Sequence, residues 1–202
     1  MKKLTTALIS LAGFLMLNSC DSRQKLSEKI QGIWGGAPEM LTDTGAARAS
    51  MVRMMEFTST GTSGEGNVTL TAIITVDNTM QSIDSIVTPL TISATGTATI
   101  TGVYQAKDDD DLIVNLDASS LTVDVDPDAV QLNYAVLSGD SGSQTAKLRP
   151  AAAMLATQQI ERAAHNVFFN LPEIEDIKIG NNLLQCEIGH KGLTFRRQPH
   201  NL

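Results

Sequence analysis

The chain has few of the residues from which metal centres and stacked-ring binding sites are built. Its 202 residues include two cysteines, Cys20 and Cys186, and only 4% are aromatic. The three histidines, His165, His190 and His200, are scattered, and no cysteine–histidine spacing suits zinc. We therefore expect no resident metal and no cofactor, and a carbohydrate site built on stacked rings is disfavoured.

The chain also has a deficit of positive charge. It carries 15 basic and 22 acidic residues, for a formal net charge of −7. An acidic surface repels phosphate backbones, so we do not expect a nucleic-acid partner. Aspartates at 108–111 and at positions 124, 126 and 128 raise the question of calcium. The second series resembles an EF-hand loop but lacks its sixth-position glycine and twelfth-position glutamate, so solvated acidic turns are the preferred interpretation.

No catalytic constellation is apparent. Ser141 lies in Gly-Asp-Ser-Gly, part of a protease nucleophile motif, but the base of that family precedes the serine and no histidine here precedes His165. Cys186 alternates in phase with apolar neighbours, which indicates a buried thiol and not a nucleophile. We expect no enzyme; a hydrolase assembled from dispersed acids is the least favoured alternative. Its candidate acids are Glu56, Asp117 and Glu187.

The first twenty residues have the layout of an export signal. Lys2 and Lys3 precede an apolar run over residues 4–17, and Asn18 and Ser19 separate that run from Cys20. The run is shorter than the roughly 20 apolar residues that span a membrane. This order of charged, apolar and small residues indicates a secretory signal peptide.

The stretch Leu17-Asn18-Ser19-Cys20 resembles the lipobox of bacterial lipoproteins. The resemblance implies that Cys20 is acylated, becomes the mature N-terminus and holds the protein to a membrane of the cell envelope, where two or more chains give stable anchoring. The alternative is a secreted protein with an unmodified cysteine. We expect a signal peptide over 1–19, the lipidated cysteine and a tether over 20–31, and one domain over 32–198. The outer membrane is favoured, with the domain in the periplasm or at the cell surface.

Most of the remaining chain alternates apolar and polar residues. In residues 67–76 every second residue from Val68 to Val76 is apolar, with Thr69, Thr71 and Thr75 among the residues between them. This alternation is typical of half-buried strands, and β-branched threonine suits a pleated surface. Short turns rich in glycine and aspartate separate the runs, which favours antiparallel hairpins.

One segment follows the helical period instead. Residues 150–168 place Ala153, Ala156 and Ile160 on one face, and Pro150 suits the first position of a helix. The fold is therefore mainly β: an antiparallel barrel of about 8–10 strands with one α-helix near 150–168. A two-sheet β-sandwich is the alternative.

Gly32-Ile33-Trp34 resembles the G-x-W motif of lipocalin-like (calycin-like) barrels. In that family the tryptophan closes one barrel end and an arginine of the last strand stacks on it, which implies a structural role for Trp34 with Arg196 or Arg197. The family's mid-chain T-D-Y motif is absent. The whole chain is similar to small lipocalin-like lipoproteins of Bacteroidota-type Gram-negative bacteria.

Met51, Met55 and Phe57 are either flexible core residues or the lining of a ligand cavity. The preferred hypothesis is a non-enzymatic, lipid-anchored barrel that binds a small apolar ligand or an envelope partner protein. The alternative is a structural or assembly component of an envelope complex, in which the barrel is solid.

Overall fold

A computed structural model describes residues 22–61, 64–80, 89–133, 141–171 and 173–199. The expected leader, Cys20 and His200 lie outside these ranges. Helix α1 covers residues 22–30, and α2 covers Ser141–Phe168. The strands are β1 (Gly32–Gly36), β2 (Glu39–Asp43), β3 (Ala47–Ser59), β4 (Glu65–Met80), β5 (Leu90–Ala106), β6 (Leu112–Leu116), β7 (Thr122–Val125), β8 (Gln131–Asn133), β9 (Glu173–Gly180), β10 (Leu183–Ile188) and β11 (Lys191–Arg197).

Eight of these strands form a closed antiparallel barrel. The ring runs β1-β3-β4-β5-β6-β9-β10-β11 and closes where β11 pairs with β1. Each strand pairs with its neighbour in this sequence, so the barrel has an up-and-down order. Closure leaves the ring without free edges. The barrel prediction is confirmed, and the β-sandwich alternative is wrong.

Three strands of the ring are much longer than the others. β3, β4 and β5 have 13, 16 and 17 residues, whereas β1 and β6 have five each. Their excess length continues beyond the ring as an open sheet. β2 pairs along the outer edge of β3, and β7 and β8 pair along β5. We call this extension the flange (residues 39–52, 72–80, 90–99 and 122–133).

Helix α2 covers one face of the flange and contacts β4, β5, β7 and β8. Its apolar face is buried there through Ala152, Ala153, Ala156, Ile160, Ala164 and Phe168. The helix begins at Ser141, before the predicted start, so Pro150 lies inside it. Pro150 lacks the N–H that an interior helical position normally donates to the residue four before it. The buried α2 residues that the structure describes all lie in the predicted part of the helix, 150–168.

Gly96 is required by the close approach of α2 and β7 to β5. A Cβ atom at this position would lie 2.7 Å from Cγ2 of Val125 and 3.0 Å from Cδ1 of Ile160. The apolar faces of barrel and flange join in one hydrophobic cluster. The two parts therefore share one core.

Candidate functional site

Helix α1 closes one end of the barrel. Leu26 and Ile30 are 4% and 0% exposed, and the buried hydroxyl of Ser27 lies 2.8 Å from that of Tyr104 on β5. The segment expected to be a tether is therefore, from residue 22 onward, a helix packed into the barrel. The spacing of Leu26 and Ile30, four residues apart on one helical face, is the signal in the sequence.

The structure brings Trp34 and Arg197 together at this end. The guanidinium carbon of Arg197 lies 4.3 Å from the centre of the Trp34 ring, and the two residues are paired between β1 and β11. Arg197 also donates hydrogen bonds to the carbonyl oxygens of Gln31 and Lys29, at 2.6 and 3.1 Å. Trp34 donates its indole N–H to the carbonyl of Ile30, at 2.6 Å.

Both arginines are exposed, and Arg196, the other candidate, pairs with Gly35. Arg197 alone ties the end of the last strand both to the first strand and to α1. A cation over an indole ring contributes about 0.5–2 kcal/mol, depending on its desolvation. The pair therefore acts at the seam where the barrel closes.

The three candidate cavity residues lie inside the packed core. Met51, Met55 and Phe57 are 1%, 0% and 0% exposed, so no water-sized space touches Met55 or Phe57. The Phe57 ring packs edge-on against Tyr104 at 5.5 Å between ring centres. Side chains of β1, β3 and β5 thus fill this part of the barrel interior, as in small barrels generally.

The buried Arg53 is the main feature that sequence reasoning missed. Its side chain is 8% exposed, its Nε lies 3.7 Å from Oε1 of Glu39, and Lys191 lies 2.8 Å from the other oxygen of that carboxylate. Nε and Nη1 of Arg53 have no hydrogen-bond partner among the described residues. Burial lowers the pKa of Arg53, and the negative charge of Glu39 opposes this shift. Arg53 alternates in phase with Met51, Met55 and Phe57, and this phase already predicts an inward side chain.

Cys186 also faces this interior. It is 5% exposed and unpaired, and burial raises the pKa of its thiol to about 12 against the opposing effect of Arg53. A thiol that stays protonated is a poor nucleophile. The prediction of a buried cysteine is confirmed.

The aspartates of the β5–β6 turn are the one group in the described residues whose oxygens approach as metal ligands do. Ligand atoms of Asp108, Asp110 and Asp111 lie within 4.8 Å of one another. One carboxylate oxygen of Asp108, Oδ1, already accepts hydrogen bonds from the backbone N–H groups of Asp110 and Asp111. Slight burial and then the neighbouring acids raise the pKa of Asp110. This arrangement is that of a hydrogen-bonded acidic turn.

The second acidic series is dispersed. Asp124 lies in β7, while Asp126 accepts the N–H of Asp128 and caps a short 3-10 helix. The Asp128 carbonyl accepts a hydrogen bond from Arg149. These are local turn contacts.

The acids considered for hydrolysis lie on strands that are not neighbours. Glu56 belongs to β3, Asp117 follows β6 and Glu187 belongs to β10. Asp117 accepts hydrogen bonds from the hydroxyl and N–H of Ser119, and these lower its pKa. Glu187 pairs with Nδ1 of the exposed His190 at 3.5 Å. The structure brings no two of the three acids together.

The remaining sequence candidates lie elsewhere. His165 is exposed on α2, with its ring centre 4.5 Å from that of Phe169. Ser141 begins α2, and the preceding Gly139 and Asp140 lie outside the described residues. Surface clefts of about 330 and 350 Å3 lie beside residues 178–185 and over residues 93–95, and neither enters the barrel. A third, of about 250 Å3, runs between α1 and the β3–β4 turn. Its lining is largely polar: Gln24, Ser27, Glu28, Gln31, Ser59, Gly61 and Gly64.

A scan against protein-family models and a search of curated proteins each found no match to the chain. The likeness to lipocalin-like proteins is therefore one of architecture: a closed eight-strand antiparallel barrel with a long helix beside it. In the described part of the chain, neither helix is both long and apolar enough to cross a membrane.

Proposed function

We propose that the protein is a lipid-anchored, non-enzymatic lipoprotein of the cell envelope that acts through its outer surface. In this proposal it is a structural or assembly component, related to the lipocalin-like lipoproteins of Bacteroidota-type bacteria. Its partners are the membrane, through acyl chains on Cys20, and an envelope protein. The outer membrane is the favoured location.

The filled interior is the observation that carries this proposal. A barrel that binds an apolar ligand needs a cavity of about 300–1,000 Å3. The largest side chains that point inward here are instead fully buried against one another. They include Trp34, Met55, Phe57, Leu70, Ile100, Tyr104, Leu112 and Phe195. This packing favours the solid-barrel hypothesis over the ligand-binding hypothesis that the sequence alone had favoured.

The separation of the acids supports a non-enzymatic role. A hydrolase built on paired carboxylates needs both groups to flank one scissile bond. Glu56 and Glu187 lie on separate strands and Asp117 follows a third, and the buried Cys186 thiol stays protonated at neutral pH. Arg53 and Glu39 form an ion pair between β3 and β2, so the burial of Arg53 is explained by a contact within the fold and needs no substrate.

The anchor is tested by expressing the full chain in a Gram-negative host and analysing the membrane fraction by mass spectrometry. We expect an N-terminal peptide that begins at acylated Cys20, and no such peptide from a Cys20→Ala variant. Chemical crosslinking in whole cells, with the Cys20→Ala chain as the matched control, then tests the partner. An unmodified Cys20, or a chain that crosslinks to no envelope protein, would contradict the proposal.

A further inference from the structure

Helix α1 belongs to the rigid body of the barrel. Leu26 and Ile30 are buried in the core, and the Ser27 hydroxyl lies 2.8 Å from that of Tyr104. Arg197 of the last strand donates to the carbonyl oxygen of Lys29 at 3.1 Å. The packed structure therefore starts two residues after Cys20, whereas a flexible tether would separate the anchor from the fold.

The path of α1 places the start of this rigid body at the rim of the barrel. At its first turn, Arg23 lies against the β3–β4 turn, where a Cβ atom on Gly64 would be 2.9 Å from Cβ of Arg23. At its last turn, Ile30 accepts the indole N–H of Trp34 on β1. The helix thus crosses the end of the ring. Two residues span at most about 7 Å, so Cys20 lies within that distance of Ser22.

On the basis of the proposed acylation of Cys20, we propose that the α1-capped end of the barrel faces the lipid surface and the flange projects away from it. The anchor holds one end within a few ångströms of the headgroups. β4 alone runs 14 residues from Gly66 at that end to Met80 in the flange. At about 3.3 Å per residue, this separates the two ends by about 45 Å along the strand.

The short covalent connection sets this orientation, and charge does not. The α1 end carries Arg23, Lys25, Lys29 and Arg197, but it also carries the aspartates at 108–111. Opposite charges at one end give no consistent attraction to an anionic surface. The orientation is therefore insensitive to salt, although the Debye length falls from about 10 Å at 0.1 M to about 3 Å at 1 M.

The test measures energy transfer from two sites on the acylated full chain, reconstituted in vesicles whose headgroups carry an acceptor dye. One donor is attached at Gly180→Cys, at the α1 end, where an added Cβ meets no atom within 4 Å. The other is attached at Ala46→Cys, exposed in the β2–β3 turn of the flange. The parent chain, with Cys186 buried, controls for background labelling. We expect transfer at position 180 to be several-fold stronger than at position 46, at both low and high salt.

A matched variant carries a 16-residue Gly/Ser insertion between Asp21 and Ser22. A linker of that length has a root-mean-square span of about 22 Å, which frees the barrel to turn, so the difference should collapse. Equal transfer from the two sites at native spacing, or a difference lost in 1 M salt, would overturn the orientation alone. A chain that does not float with the vesicles would overturn the anchor as well.

Discussion

The barrel and the flange share the same strands, yet they bury their apolar faces in different ways. In the ring, the inward faces meet one another across the interior, and closure removes every edge. In the flange, the same faces of β4 and β5 continue but have no opposite wall, and α2 covers them instead. One alternating pattern thus serves two kinds of packing.

The residues chosen for the two cores differ accordingly. The barrel interior uses rings: Trp34, Phe57, Tyr104 and Phe195 are all at most 1% exposed. The flange core contains many small side chains, among them Ala94 and Ala98 of β5 and Ala152, Ala153 and Ala156 of α2, beside larger ones such as Ile160 and Phe168. Large aromatic side chains fill the cross-section of the barrel, and alanines let a helix approach a sheet closely. Both arrangements give a densely packed core: large side chains fill the barrel, and small ones bring α2 close to the sheet.

The edges differ too. The flange ends on one side at β2, an exposed edge strand that carries Glu39 and Asp43 and has a register shift between Met40 and Thr42. Charged side chains and irregularities are common devices against pairing with another sheet. The ring needs no such protection.

The largest effect should come from Trp34→Ala in the barrel. It removes a fully buried ring, its hydrogen bond to Ile30 and its contact with Arg197, so we expect a loss of about 3–5 kcal/mol in unfolding free energy. Urea unfolding followed by circular dichroism measures it. A loss under 1 kcal/mol would show that the seam is not held by this residue.

The matched variant in the flange is Ile160→Ala, which removes a side chain with 0% exposure on α2. We expect a loss of about 2–4 kcal/mol, since the helix cannot collapse onto the sheet to refill the space. Because the cores are continuous, the fluorescence of the single Trp34 and the helical signal should be lost in one transition. Two separate transitions would show that the barrel and the flange unfold independently.

Glu39→Gln tests the buried ion pair where the flange joins the barrel. The change leaves the Arg53 charge without its carboxylate, and we expect a loss of about 2–3 kcal/mol, below the ~3–5 typical of hydrogen-bonded buried pairs. The double variant Glu39→Gln with Arg53→Met should recover most of it. If the double variant were less stable than the single one, Arg53 would have to stabilise the fold without Glu39.

Ser27→Ala isolates the contact between α1 and the barrel. The buried Tyr104 hydroxyl would lose the partner at 2.8 Å, at an expected cost of about 1–3 kcal/mol. Adding Tyr104→Phe removes the unpaired hydroxyl, so the double variant should lose less than the sum of the single variants. Additive losses in this cycle would show that the two hydroxyls do not interact.

Cys186 should give the smallest effect, which appears only at high pH. Burial raises the pKa of its thiol from 9.0 to about 12. Between these values the unfolded chain has lost the proton and the folded chain retains it, so its contribution is full below pH 9 and is lost as the pH rises toward 12. Stability should therefore fall more steeply above pH 9 in the parent than in Cys186→Ala. If the unfolding free energy fell equally steeply with pH in both proteins, the Cys186 thiol would have to be exposed to water in the folded state.

Much of this architecture could be predicted from local patterns, and what was missed depended on tertiary packing. Alternation identified the strands, because side chains on a strand face opposite sides in turn. The first nine residues of α2 were missed because residues 141–149 are mostly polar and Pro150 suits a helix start. Closure at Trp34 followed from a short motif, but the choice of Arg197 over Arg196 depended on which of two adjacent side chains faces α1.

The inward direction of Arg53 followed the phase of its strand, yet its charge argued against burial. The partner that compensates it, Glu39, lies on another strand, which no local pattern identifies. The filling of the interior could not be predicted either. Alternation shows which residues face inward, but not whether their side chains contact one another across the barrel. That filling is the observation on which the proposed structural role rests.

The most direct test of the solid barrel is titration of the full chain with a fluorescent apolar probe that accepts energy from tryptophan. The single Trp34 is fully buried in the interior, so a molecule bound there would quench it strongly. A solid barrel should give no saturable quenching, and the Trp34 signal should remain that of the free protein. Saturable one-to-one quenching of Trp34 would show that the barrel opens to a ligand and would contradict the proposed function.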